Sequence, residues 1–104
     1  MKLNKEASME EVFAHIERNA LTTILFVDQS LFCNQYTALN WVPEEADIVE
    51  VDQEILESFQ IGKVPQFRFY FQGSEVGHQI GTLTREQVQD FKKEIFKDVR
   101  SINK

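Results

Sequence analysis

The spacing of hydrophobic and polar residues changes several times along this chain, and each change marks an element. Phe67-Arg68-Phe69-Tyr70-Phe71 carries a phenylalanine at every second position. Side chains alternate between faces along a strand, so Phe67, Phe69 and Phe71 are expected to share one buried face. Gln72-Gly73-Ser74 has the backbone freedom for a tight turn, and Glu75 to Ile80 returns as a second strand. Val64-Pro65 stands directly before the first strand. A proline at that position cannot donate to the ladder, so it marks a boundary, a bulge or a cis bond.

Ahead of the hairpin, Ser8-Met9-Glu10-Glu11 has the spacing of a capping box. Val12, Phe13, Ile16 and Ala20 then fall on one face of a helix ending near Asn19. Thr22 to Val27 is an unbroken β-branched and aromatic run, as in a central strand covered on both faces. Ser30 can cap a second helix from Leu31 to about Trp41, which must stop by Pro43 because the residue before a proline avoids helical angles. Asp47 to Val51 follows as a strand, and Gln53 to Phe59 as a short helix capped by Asp52. Beyond the hairpin, Thr84-Arg85-Glu86-Gln87 repeats the capping-box logic. Val88, Phe91, Ile95, Phe96 and Val99 then form the stripe of a last helix. Lys2 to Asn4 has the makings of a brief edge strand, and Asn103 and Lys104 are expected to fray. Alternating strands and helices predict an α/β fold in one domain spanning residues 1–104: a mixed sheet of four or five strands with helices on both faces.

Composition narrows the partners. Nine phenylalanines and 42% hydrophobic residues in 104 are ample for one core without staples. No apolar run reaches the ~18 residues of a membrane span, and the N-terminus lacks an apolar signal region, so a cytoplasmic location is expected. A single cysteine excludes an internal disulfide and fits a reducing compartment. The net charge of −6 argues against nucleic acid. Lys92, Lys93, Lys97, Arg100 and Lys104 alternate with Glu94 and Asp98, as on a solvated helix face. His15 and His78 lack zinc-ligand spacing, and there is no phosphate-cradling glycine loop, so neither metal nor cofactor is expected.

The order Val51-Asp52, a short helix through Ile55, Leu56 and Phe59, Ile61-Gly62-Lys63-Val64-Pro65, the hairpin, Gly81 and a final amphipathic helix resembles a thioredoxin-like domain. The resemblance spans roughly Thr22 to Phe96. It implies a cis bond at Val64-Pro65, beside which an extended substrate peptide lies along the backbone, and a glycine, Gly81, near that groove. It also implies a Cys-x-x-Cys at a helix start, after an aromatic residue. Phe32-Cys33 matches the aromatic and the attacking cysteine, while Tyr36 stands where the resolving cysteine would be.

Cys33 also qualifies on physical grounds. In the first turn of a helix, the dipole and unpaired backbone N–H groups favour a thiolate. Tyr36 cannot release a mixed disulfide, so dithiol chemistry within one chain is not expected. A monothiol disulfide oxidoreductase, finishing the exchange with glutathione or another protein thiol, is one reading. The other is a redox-inactive module that binds a polypeptide through Phe32, Tyr36, Val64 and Pro65, with Cys33 a buried apolar residue. Departures from the family pattern bear on both. Cys33 and Pro65 are closer in sequence than usual, the strand aligns with the motif only after a one-residue slip, and the matching position for the buried acid is apolar, Phe26 or Val27. Asp28 lies just beyond the strand and would reach Cys33 if the two ends meet. Trp41 completes an aromatic set with Phe32 and Tyr36, which would mark an interface if exposed as one patch.

Overall fold

The computed structural model describes Leu3 and residues 5–102, the last five by their backbone alone. The strand expected at Lys2 to Asn4 falls, apart from Leu3, outside the described residues, as do Asn103, Lys104 and the side chain of Val99. The elements in chain order are α1 (Met9–Arg18), β1 (Leu21–Val27), α2 (Leu31–Thr37), α3 (Val42–Glu45), β2 (Asp47–Glu50), α4 (Gln53–Ser58), β3 (Gln66–Phe71), β4 (Ser74–Ile80) and α5 (Arg85–Ile102).

Among the described residues, four strands form one mixed sheet in the order β2-β1-β3-β4. β1 runs parallel to β2 and antiparallel to β3, and β3 pairs antiparallel with β4. Alternation along β1 feeds two cores. Ile24 and Phe26 meet Val12 and Ile16 of α1 and Ile55 of α4 on one face. Leu25 and Val27 meet residues of α2, α3 and α5 on the other. Helices therefore cover both faces, and a continuous apolar run is what such a strand requires.

β3 is buried on both faces as well. Phe67 and Phe69 lie in the α5-side core at 0% exposure, each contributing roughly 2–3 kcal/mol by leaving water. Tyr70 lies in the opposite core, and Arg68 stands on that side over the Phe26 ring. Phe71, expected beside the other two phenylalanines, is only half-buried because it ends the strand at the turn. Gln72 and Gly73, at φ 49° and 89°, give the two positive angles that a two-residue hairpin turn demands.

Both capping boxes form. Ser8 Oγ accepts the Glu11 N–H, and Glu11 in turn accepts the Ser8 N–H. Thr84 and Gln87 exchange the same pair of bonds ahead of α5. Ala20 lies beyond the end of α1 and is exposed, so it does not continue the buried stripe. The largest departure is α2, which ends at Thr37 rather than near Trp41. Pro43 does not terminate that helix. It sits in the first turn of the separate α3, where a fixed φ and a missing N–H cost nothing. Among the described residues no helix is long and apolar enough to cross a membrane.

Candidate functional site

β1 ends at Val27, and the next three residues set the start of α2. The Asp28 carboxylate accepts the Ser30 N–H at 2.9 Å. Ser30 Oγ caps α2 by accepting the Cys33 N–H at 3.2 Å. Hydrogen bonds from the Ser30 hydroxyl, its N–H and the Cys33 thiol hold the Asp28 carboxyl below the ordinary carboxylate range. Asp28 and Cys33 therefore do meet.

The helix they begin is seven residues long, and Cys33 is its third. At that place its side chain turns under the helix rather than out from its tip. Cys33 is 2% exposed, in the core shared with Leu25, Val27 and Tyr36. The exposed residues at the tip are Ser30, Leu31 and Phe32, the last two at 74% and 57%.

Tyr36, one turn on, is also inside, at 5% exposure. Its hydroxyl donates to the Leu83 carbonyl at 2.9 Å and accepts the Leu83 N–H at 3.2 Å. Its ring stands edge-on to Trp41 and Phe67, with centroids 6.1 and 6.4 Å away. Burial raises its phenol pKa, against a smaller opposing effect of the Leu83 hydrogen bond. The expectation that Tyr36 joins Phe32 on a binding surface is corrected here. Phe32, Tyr36 and Trp41 do not make one exposed patch, because Tyr36 spends both its ring and its hydroxyl on the core.

The second half of the site lies where the chain enters β3. The Val64–Pro65 bond is cis. Pro65 is buried and Val64 half-buried. The Pro65 carbonyl accepts the Gly81 N–H at 2.8 Å, which ties the start of β3 to the end of β4. Gly81 has φ 101°, a conformation side chains rarely adopt, and a Cβ there would meet nothing within 4 Å. Among the described residues, no hydrogen bond engages the N–H or the carbonyl of Val64.

Tyr36 joins these halves. Phe67 lies two residues after Pro65, and Leu83 two after Gly81, so the inward face of α2 rests on the segments that carry both. Sequence reasoning missed the role of Leu83, since a backbone acceptor leaves no signal in residue identity.

No family model matches the sequence, and no curated protein matches it. The fold does have solved counterparts. A point mutant of thioredoxin from Halobacterium salinarum NRC-1 superposes with a TM-score of 0.70 at 14% identity, over 86% of this chain and 87% of that one. Oxidised thioredoxin from Plasmodium falciparum gives 0.67 at 20% identity, over 90% of this chain and 96% of its own. Fasciola hepatica thioredoxin gives 0.62 at 19%, over 91% and 99%. These likenesses span nearly the whole length of both partners, and the four-stranded sheet with helices on both faces is accordingly a thioredoxin fold.

Proposed function

We propose that this chain is a thioredoxin-fold module that binds an extended polypeptide segment without redox turnover. The segment pairs through its main chain with Val64, alongside Pro65 and Gly81, and Phe32 offers an exposed apolar flank. The observation that carries the reading is the backbone of Val64, which no described hydrogen bond engages, beside the bonded Pro65–Gly81 pair and opposite a helix whose thiol faces inward. Strand addition needs an unpaired N–H and carbonyl and demands little of side chains. Thiol exchange needs a sulfur that a disulfide can reach. At the exposed start of α2, three residues before Cys33, stands Ser30, which has no sulfur to offer. The single thiol also fits a reducing, cytoplasmic setting.

The test is an amide chemical-shift titration with a blocked pentapeptide of threonine and valine carrying glutamine at its centre. The expected shifts gather at Val64, Gln66, Gly81 and Phe32. Shifts on another face, or none at millimolar peptide, would refute the reading.

One observation favours a second reading, monothiol exchange at Cys33. The Asp28 side chain stands at the thiol, where Ser30 caps the start of α2. A Cys33 thiolate would attack a partner disulfide, form a mixed disulfide and expel one partner sulfur as thiolate. An external thiol such as glutathione would then attack the mixed disulfide and regenerate Cys33. Insulin reduction that appears with glutathione and disappears in Cys33→Ala would favour this route, whereas no reduction under either condition leaves the binding module.

A further inference from the structure

Beside the approach to β3 lies a cleft of about 410 Å³, lined by Phe59, Gln60, Lys63, Gln66, Arg68 and His78, with Glu75 at its edge. Its base is Arg68, which is only 9% exposed although it sits on a strand of aromatic residues. A guanidinium carries five N–H donors. Nε donates to the Gln66 side chain, Nη1 to the Phe59 carbonyl and Nη2 to the Gln60 carbonyl, at the end of α4. The Tyr70 hydroxyl also lies within reach of the guanidinium, so at least one terminal donor is left by count. The carboxylate of Glu75 approaches from the side of Nε at 3.5 Å and is shared with His78 Nδ1 at 3.4 Å. Glu75 is 39% exposed at the rim, so it only partly neutralises the buried cation. Lys63 is exposed and His78 mostly so, and both line the same cleft. A local excess of positive charge in a chain of net charge −6 stands against the overall field.

We infer that this cleft holds a carboxylate of the docked polypeptide, an acidic side chain reaching in from a strand laid along Val64. The inference rests on the docking reading above and specifies the chemistry of its partner. Lys63 is the residue before Val64, and Gln66 is the one after Pro65. Adjacent Cα atoms are about 3.8 Å apart, so the lip of the cleft lies within a residue of the backbone the strand would pair with. An entering carboxylate meets the remaining donor of Arg68 at the base and the Lys63 ammonium at the lip. Phe59 and Ile80 supply apolar wall for the methylenes of an acidic side chain. Charge-assisted bonds to a preorganised guanidinium are stronger than neutral ones and give specificity.

The experiment compares two blocked pentapeptides of threonine and valine, one with glutamate and one with glutamine at the centre, in the same shift titration at low salt. The glutamate peptide should bind about tenfold tighter, with shifts extending to Arg68 and His78. Lys63→Ala should remove most of that advantage, as should salt near 0.5 M, while leaving the glutamine peptide unchanged. Glu75→Gln should increase the advantage by removing the competing carboxylate. Lys63 is exposed, so its variant does not endanger the fold, and a thermal melt of Glu75→Gln checks that loss of the Arg68 partner is tolerated. If both peptides bind at Val64 with equal affinity, the cleft plays no part and docking stands. If neither binds, docking fails and this inference falls with it.

Discussion

The start of α2 and the approach to β3 face one another across the same end of the sheet, yet they have met different fates. At α2 the side chains are turned inward: Cys33 lies in a core, and the Tyr36 hydroxyl is bound to Leu83 at both its donor and its acceptor. At the approach to β3, among the described residues, no hydrogen bond engages the Val64 backbone, and Gly81 keeps a positive φ. Thiol exchange depends on particular side-chain atoms, and Tyr36 has no sulfur to release a mixed disulfide. Main-chain recognition depends instead on the course of the backbone, which Pro65 and Gly81 set here.

The comparison breaks first at Cys33. A thiol reached only by opening of the structure should react with iodoacetamide at neutral pH at least about 100-fold slower than in the denatured chain. Mass spectrometry of timed samples reads this directly. Modification at the denatured rate would place Cys33 at the surface and favour the monothiol reading.

Tyr36→Phe tests how firmly α2 is closed. It removes both hydrogen bonds to Leu83 and leaves a partly buried N–H and carbonyl, at a cost of about 2 kcal/mol in denaturant unfolding. Gly81→Ala at the facing region should cost less, about 1 kcal/mol, since space is free and only the backbone angle resists. If Gly81→Ala proved the costlier change, the open side would be the one under structural constraint.

The smallest effect is on acid stability. Asp28 has a lowered carboxyl pKa, so its contribution is present above the unfolded value of 3.8 and is lost as pH falls through the folded value. Asp28→Asn should flatten the decline in stability below about pH 4. Tyr36 works in the opposite sense. Its raised pKa favours the folded state below the ordinary value of 10.0, and that contribution is lost as pH rises further. Thermal melts across both ranges, with each variant, separate the two slopes.

What could be foreseen from residue order was whatever neighbouring residues decide between themselves. The hairpin followed from period-two alternation and a turn that glycine permits. The capping boxes at Ser8 and Thr84 followed from spacing within one helical turn. β1 announced its double burial by lacking polar interruptions. The length of α2 was not legible, because Pro43 looks like a stop signal but sits in the first turn of α3, beyond an unforeseen four-residue break. Nor was the place of Arg68, a charge among phenylalanines whose partners are carbonyls at the end of another element.

The sequence by itself determined that this chain folds as an α/β domain, with Val64-Pro65 ahead of a hairpin and one thiol near a helix start. Those are properties of short windows, where propensity, period and capping act within a few residues. Tertiary structure alone decided that the thiol faces inward, that Tyr36 is bound to Leu83, and that Arg68 is buried against carbonyls at the end of α4. Each depends on contacts between residues distant in sequence, and burial is a property of such contacts rather than of residue type.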